Sequence, residues 1–336
     1  MKIAVDAMGG DMGLPPNVLG AIQALGPEGV GQVARKQPIS IVLVGRKDLI
    51  KKELAKHGAT TLPIEIEDAS QSVDMDENPL EACRNKPDSS IMVGVKMLKD
   101  KKINGFISAG NTGAYTAAAT LTLDKIKKVK RPAIASVFPT VKDFCVIVDV
   151  GANADCKSKY LYQFATMAEK YVKYVYKRRI PRVGLLSIGH EQTKGNKLVK
   201  ETHELLMESD LNFIGNIEGG DIIHGAADVV VCDGFTGNII LKFGESISQA
   251  VIDIIKEEVG KNVLRKVGGK MLEGAFKGLK KRMLYEDVGG APLLGLDGTC
   301  IICHGDSNAR AIKNAINVAV EFEEQDVNKH IEEQIT

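Results

Sequence analysis

Short apolar runs rich in Val and Ile recur along the chain, and each one ends in Gly, Asn or Asp. They are KIAVDAMGGD (2–11), ISIVLVG (39–45), NGFISAGNTG (104–113), FCVIVDVGAN (144–153), RVGLLSIG (182–189), NFIGNIEGGD (212–221), ADVVVCDGFTGN (227–238) and CIICHGDSNA (300–309). Runs of this length and β-branched content predict buried strands. Amphipathic stretches of helical period, such as 88–100 and 193–209, lie between several of them. This alternation predicts an α/β fold built on a mostly parallel, doubly wound sheet. Ligands of such sheets sit where the carboxyl ends of strands meet loops and helix starts. The Gly, Asn, Asp and Thr of these strand ends are more polar than packing alone demands.

The loop after the third of these runs, SAGNTG (108–113), carries the clearest chemistry. Consecutive backbone N–H groups, Asn111 and Thr112 as side-chain donors, and the positive end of a following helix suit a phosphate or carboxylate. It is neither a Walker A loop nor a G-x-G-x-x-G turn, and alone it reads equally well as a capped turn. The same chemistry recurs in DGFTGN (233–238), AMGGD (7–11) and DVGAN (149–153), so four anion-friendly loops are expected together. Lys194, in GHEQTKGN (189–196), adds a cation at the start of a predicted helix.

Composition removes whole classes of function. The 336 residues carry a net charge of +1, so no global field attracts nucleic acid, and an acidic partner has to meet a local patch. No apolar run approaches the ~20 residues of a membrane-spanning helix. No signal-peptide pattern opens the sequence, so a cytoplasmic protein is expected. Six cysteines, mostly inside apolar runs, read as reduced, buried thiols. Cys300 and Cys303 form C-x-x-C, but three residues apart on a strand they point to opposite faces, which argues against a redox pair or zinc site. There is no G-x-S-x-G elbow, and no His, Asp or Glu cluster has metal-ligand spacing.

Two further segments stand out. From Lys256 to Arg282 nine basic residues face three acids, and apolar residues fall at Val259, Val263, Val267, Leu272, Phe276, Leu279 and Met283. The pattern predicts a helical hairpin with its break at Gly268 and Gly269, a contact for a dimer partner, an acidic protein or a membrane surface. The acidic end from Glu321 onward reads as a solvated helix end and tail, and 26–38 as a surface loop.

In combination AVDAMGGD (4–11), NPLEACRNKPDSSI (78–91), SAGNTGA (108–114), RPAIASVFPT (131–140), DVGANADCK (149–157), TKGN (193–196), VVVCDGFTGN (229–238), GGAPLLG (289–295) and HGDSNARAIKNAI (304–316) resemble the bacterial phosphate acyltransferases over essentially the whole chain. That resemblance implies transfer of a fatty acyl group from acyl carrier protein to inorganic phosphate, yielding acyl phosphate for phospholipid synthesis. It also implies a two-lobed fold like those of isopropylmalate dehydrogenases and phosphotransacetylases, with residues 1–150 plus 298–336 as one lobe and 151–297 as the other. A homodimer is implied, with a membrane glycerol-3-phosphate acyltransferase or the membrane surface as a peripheral partner. Neither cofactor nor metal is required. A phosphotransacetylase using acyl-coenzyme A and a non-catalytic docking protein are the alternatives.

With that reaction in view, the loop chemistry puts Asp6, Gly9, Gly10, Asp11, Ser108, Gly110, Asn111, Thr112, Gly113, Asn153, Thr236, Gly237 and His304 around phosphate and substrate as the expected site. Lys194, Asp233 and Asn238 would serve the thioester carbonyl and leaving group. Lys266, Lys270, Phe276, Lys277, Lys280 and Lys281 would meet carrier protein or membrane. The chain departs from the family at His190, where an acid is usual, at Gly220, where an arginine often stands, and in the length of loop 26–38.

Overall fold

The computed structural model describes residues 1–26, 37–283 and 289–335, the last four of the middle stretch as backbone only. Most of loop 26–38 and the side chains of Lys280 and Lys281 therefore lie outside the described residues.

Eleven strands form one sheet: β1 (Lys2–Asp6), β2 (Ser40–Gly45), β3 (Ile64–Asp68), β4 (Gly105–Ser108), β5 (Ala133–Pro139), β6 (Phe144–Val148), β7 (Val183–Leu186), β8 (Phe213–Ile217), β9 (Val229–Val231), β10 (Ala291–Leu294) and β11 (Thr299–Ile302). Their order is β3-β2-β1-β4-β11-β10-β5-β6-β9-β7-β8. The helices are α1 (Leu14–Leu25), α2 (Lys47–Lys56), α3 (Pro79–Asn85), α4 (Ser90–Lys99), α5 (Thr112–Thr122), α6 (Ser158–Val175), α7 (Lys197–Met207), α8 (Gly219–His224), α9 (Gly234–Gly260), α10 (Val263–Met271), α11 (Glu273–Met283), α12 (Ala309–Glu324) and α13 (Val327–Gln334).

The sheet is mostly parallel, as the sequence predicts, but its centre is not. β10 is antiparallel to both β11 and β5, and β5 is antiparallel to β6. These three reversals make β6, β9, β7 and β8 run against β1, β4 and β11. The carboxyl ends of the two halves consequently belong to opposite edges, and the glycine loops divide into two groups. β5 and β6, expected with the first lobe, lie in the half that holds β9, β7 and β8.

Helices cover both faces. Phe106, Tyr115, Ile147, Val230 and Cys300 pack on one face beneath α4, α5 and α9, while Ile3, Leu43, Ile301, Cys303 and Ile316 pack on the other with α1 and α12. Cys300 and Cys303 thus stand on opposite faces, as strand geometry demands.

Two expectations are overturned. The acidic C-terminal segment is not a solvated tail: Val327, Ile331 and Ile335 are buried against the α6 side of the core, and Tyr174 stacks on His330 at 3.8 Å. An amphipathic face outweighs the surrounding charge. In the basic segment the breaks fall at Lys261–Asn262, where Asn262 caps α10 by accepting from Arg265 N–H, and at Leu272, and not at Gly268 and Gly269. Those glycines lie inside α10, and a Cβ on Gly269 would come within 2.4 Å of Val259 on α9.

Candidate active site

The first group of loops is organised by a buried carboxylate. Asp6, at the end of β1, accepts from the N–H groups of Met8 and Gly9 (3.0 and 3.1 Å) and from the Ser108 hydroxyl (2.7 Å). Burial pushes its carboxyl above the ordinary value, and hydrogen bonds from Ser90 and Ser108 oppose that shift. Asn17, three residues into α1, adds a second anchor by donating to the carbonyls of Gly9 (2.8 Å) and Gly13 (3.0 Å). Its only sequence signal is a polar residue on the buried face of a helix, and the sequence reading missed it. Asp11 N–H donates to Gly305 O (2.7 Å), which ties in the loop after β11. The loops touch so closely that a Cβ on Gly9 would lie 2.6 Å from both Asp6 Oδ2 and Gly110 N.

Within SAGNTG the polar groups have unequal freedom. The Ser108 hydroxyl donates to Asp6 and accepts from Gly110 N–H (3.0 Å). The Asn111 amide donates to the carbonyls of Asp74, Met75 and Glu77 (3.2, 3.0 and 3.0 Å), and its side-chain oxygen caps α5 by accepting from Ala114 N–H (2.9 Å). Ser108 and Asn111 are therefore committed to shaping the loop. The first α-helical bond of α5 runs from Tyr115 N–H to Asn111 O (2.9 Å), so the Thr112 and Gly113 N–H groups precede it and have no partner among the described residues, beside an exposed Thr112 side chain. The positive end of α5 lies at these two groups.

The second group repeats the device. Asp149, fully buried, accepts from the N–H groups of Ile134, Gly151, Ala152 and Asn153 and from the Asn153 side chain. Burial raises its pKa as well. Asp233 caps α9, one oxygen accepting from Thr236 N–H (2.8 Å) and the other from the Thr236 hydroxyl (2.9 Å). Gly237 lies so close to Asp149 that a Cβ would sit 2.0 Å from its carbonyl oxygen. Asn153, Asp233, Thr236 and Gly237 thus serve packing and capping. Asn238 is half-buried beside Gly151, where a Cβ would be 3.9 Å away.

The two groups approach each other at α5. Thr112 and Gly113 from the first and Gly151 and Ala152 from the second line one open cavity of about 450 Å³. Glu245 on α9 lies near enough to His304 and Asp306 for their charges to act on it. His304 itself is mostly exposed and pairs with Asp306 at 2.6 Å.

The loop after β7 forms a third cluster. Asn216 donates to Glu191 O (3.0 Å), and His190 Nε2 meets Asp221 Oδ2 at 2.6 Å. The hydrogen bond to Asp221 holds the His190 pKa above its ordinary value, with the nearby Glu218 and Glu191 charges adding to it. Lys194 is exposed, and among the described residues its ammonium has no hydrogen-bond or ion-pair partner.

The model of the fatty acid synthesis protein family matches residues 1–330. Phosphate acyltransferase from Dictyoglomus turgidum is 44% identical over 333 residues, covering 98% of this chain and 96% of that protein. Phosphate acyltransferase from Pelotomaculum thermopropionicum is 45% identical over 336 residues, covering 99% and 95%. The chain belongs to the phosphate acyltransferase family. Among solved structures, a phosphotransacetylase from Streptococcus pyogenes superposes with a TM-score of 0.64 at 18% identity, over 96% of this chain and 94% of that one. That likeness establishes a shared fold.

An acyltransferase of this family acts with phosphate and an acyl donor, and the remaining features bear on how. Cys156, the one cysteine in a polar setting, has its thiol pushed up to about 12 by burial, with the Asp149 charge adding to the shift. A thiol so hard to ionise is a poor nucleophile. In the basic segment Lys261 and Arg265 pair with Glu258, and Lys277 with Glu273 at 2.7 Å. Lys266 and Lys270 have no partner among the described residues. α10 has no buried residue, and Phe276 on α11 is only half-buried. Among the described residues no helix is long and apolar enough to cross a membrane.

Proposed function

We propose that this phosphate acyltransferase takes its fatty acyl group from acyl carrier protein and delivers it to inorganic phosphate, producing acyl phosphate for phospholipid synthesis. Phosphate is already an anionic nucleophile and a thioester is already activated, so the site has to orient and desolvate rather than activate. A phosphate oxygen attacks the thioester carbonyl carbon and forms a tetrahedral oxyanion. Collapse breaks the C–S bond, and the thiolate takes up a proton as carrier thiol.

The observation that carries this reading is the open start of α5. Thr112 and Gly113 N–H groups and the Thr112 hydroxyl hold the phosphate, on a loop whose other polar groups are already satisfied. Asn238, beside Gly151 in the second half, is the donor we assign to the carbonyl oxygen. Lys194, unpaired among the described residues, serves the departing thiolate, whose pKa near ~8.5 asks little acid help. The exposed cationic and apolar face of α9 to α11 supports docking to carrier protein, to the membrane that holds the next acyltransferase, or to a second copy of the chain.

The test is incubation with long-chain acyl carrier protein and phosphate, with acyl phosphate trapped as its hydroxamate. Hydroxamate that depends on both substrates is the expected result. Equal turnover of acyl-coenzyme A would displace the carrier-protein assignment, and no product from either donor would overturn the reading. Lys194→Ala with unchanged turnover and phosphate affinity would remove that lysine from the site.

A further inference from the structure

The cavity between the two loop groups extends well beyond the space a phosphate needs. It follows α5 from Thr112 to Leu121, a rise of ~13 Å along nine residues. Gly151, Ala152 and the start of α3 at Pro79 and Leu80 complete its lining. None of its lining side chains is charged.

Two rows of α5 face this groove. One runs Gly113, Ala117, Leu121: Pro79 packs against Gly113, where a Cβ would come within 2.6 Å, Ala117 leaves the middle shallow, and the large Leu121 side chain closes the far end. The other runs Thr112, Thr116, Thr120. The Thr116 hydroxyl is shielded from water and without a hydrogen-bond partner among the described residues. What Thr116 shows to the groove is therefore its methyl group. Leu80 and Leu121 leave 61% and 71% of their surface exposed, an arrangement that favours an apolar cover.

We propose that this groove receives the hydrocarbon chain of the acyl donor, with the thioester at Thr112 and the chain running along α5 toward Leu121. The inference rests on the proposed function, from which it takes the identity of the donor. A flexible uncharged chain matches an uncharged groove that is continuous with the phosphate end. The amide-bearing arm that tethers a thioester would call for hydrogen-bonding groups along the wall, and Thr116 does not offer its own.

The groove acts as a ruler, and its divisions can be moved. Ala117→Phe blocks it midway, and Thr120→Trp, at an exposed site safe for folding, blocks it three residues or ~4.5 Å further on. Acyl carrier protein loaded with a graded series of saturated chains is the donor, and hydroxamate the readout. The long-to-short ratio of kcat/KM is expected to fall ~10-fold or more in both variants. The cut-off should come at shorter chains for Ala117→Phe than for Thr120→Trp. Both variants keeping the parent's chain-length profile would overturn the proposal. So would a KM increase equal for every chain length, which would place the tethering arm in the groove. Binding of the fluorescent fatty acid cis-parinaric acid tests the groove independently of turnover. If the parent enzyme makes no acyl phosphate, the proposed function fails, and the groove stands or falls on whether both variants weaken that binding.

Discussion

The starts of α5 and α9 are built from nearly the same residues, SAGNTG and DGFTGN, and they do different work. α5 is capped by Asn111, a neutral side chain that satisfies one N–H and leaves the two before it open. α9 is capped by Asp233, whose carboxylate already meets the helix end and spends both oxygens on Thr236. The glycines of both starts are crowded, those of α9 by the Asp149 loop and Gly113 of α5 by Pro79, but Thr112 is exposed where Thr236 is tied to Asp233. A carboxylate at a helix start supplies the negative charge that a bound phosphate would supply, and repels a second anion. Glycine, threonine and asparagine at a strand end are therefore not a binding signature by themselves. What decides is whether the cap is neutral and whether another loop has taken the space.

Gly237→Ala forces a Cβ into the Asp149 carbonyl and should cost on the order of 3 kcal/mol or more, read as a lowered denaturation midpoint. Asn111→Ala removes a cap and strands three carbonyls of 74–77, so a loss of about 2 kcal/mol is expected together with a raised KM for phosphate. Thr112→Val touches only the open end of α5. It should raise the phosphate KM ~10-fold while leaving the melting temperature unchanged, and an unmoved KM would transfer the anion elsewhere.

The smallest effect concerns the third loop. His190 pairs with Asp221, and its pKa is raised in the folded chain. The contribution of that pair is fully present below pH ~6.5 and is lost as pH rises through the raised value. A stability difference between the parent and His190→Gln that shrinks across that window, followed by denaturant unfolding at several pH values, is the expected outcome. With the imidazole so exposed the difference is slight, and one constant with pH would show that the pair is not coupled to folding.

Much of the fold was legible because strands such as IVLV and VVV are buried on both faces and leave a continuous apolar signature. β3 escaped because IEIED alternates as an edge strand, and β10 because four residues with a proline in APLL are too short to show a period. The polar loops were legible as chemistry but not as sites. Asp6 and Ser108 are 102 residues apart, and Gly237 and Asp149 are 88 apart. Which glycine admits a ligand and which admits a neighbouring backbone depends on partners that local pattern does not reveal. His190 read as a departure from the family, and its pairing with Asp221 appeared only in three dimensions.

The antiparallel hairpin of β10 and β11 carries a consequence for how the molecule assembles. Among the described residues it is the only pairing that joins the β3-to-β4 half of the sheet to the β5-to-β8 half, and it comes from residues 291–302. During synthesis both half-sheets are complete in sequence by residue 231, yet β4 and β5 each keep an unpaired edge until the hairpin emerges. The last step of sheet formation is thus the insertion of a keystone between two preformed edges. A nascent chain halted before residue 290 exposes two sticky strands, and there chaperone binding and aggregation of this protein should concentrate.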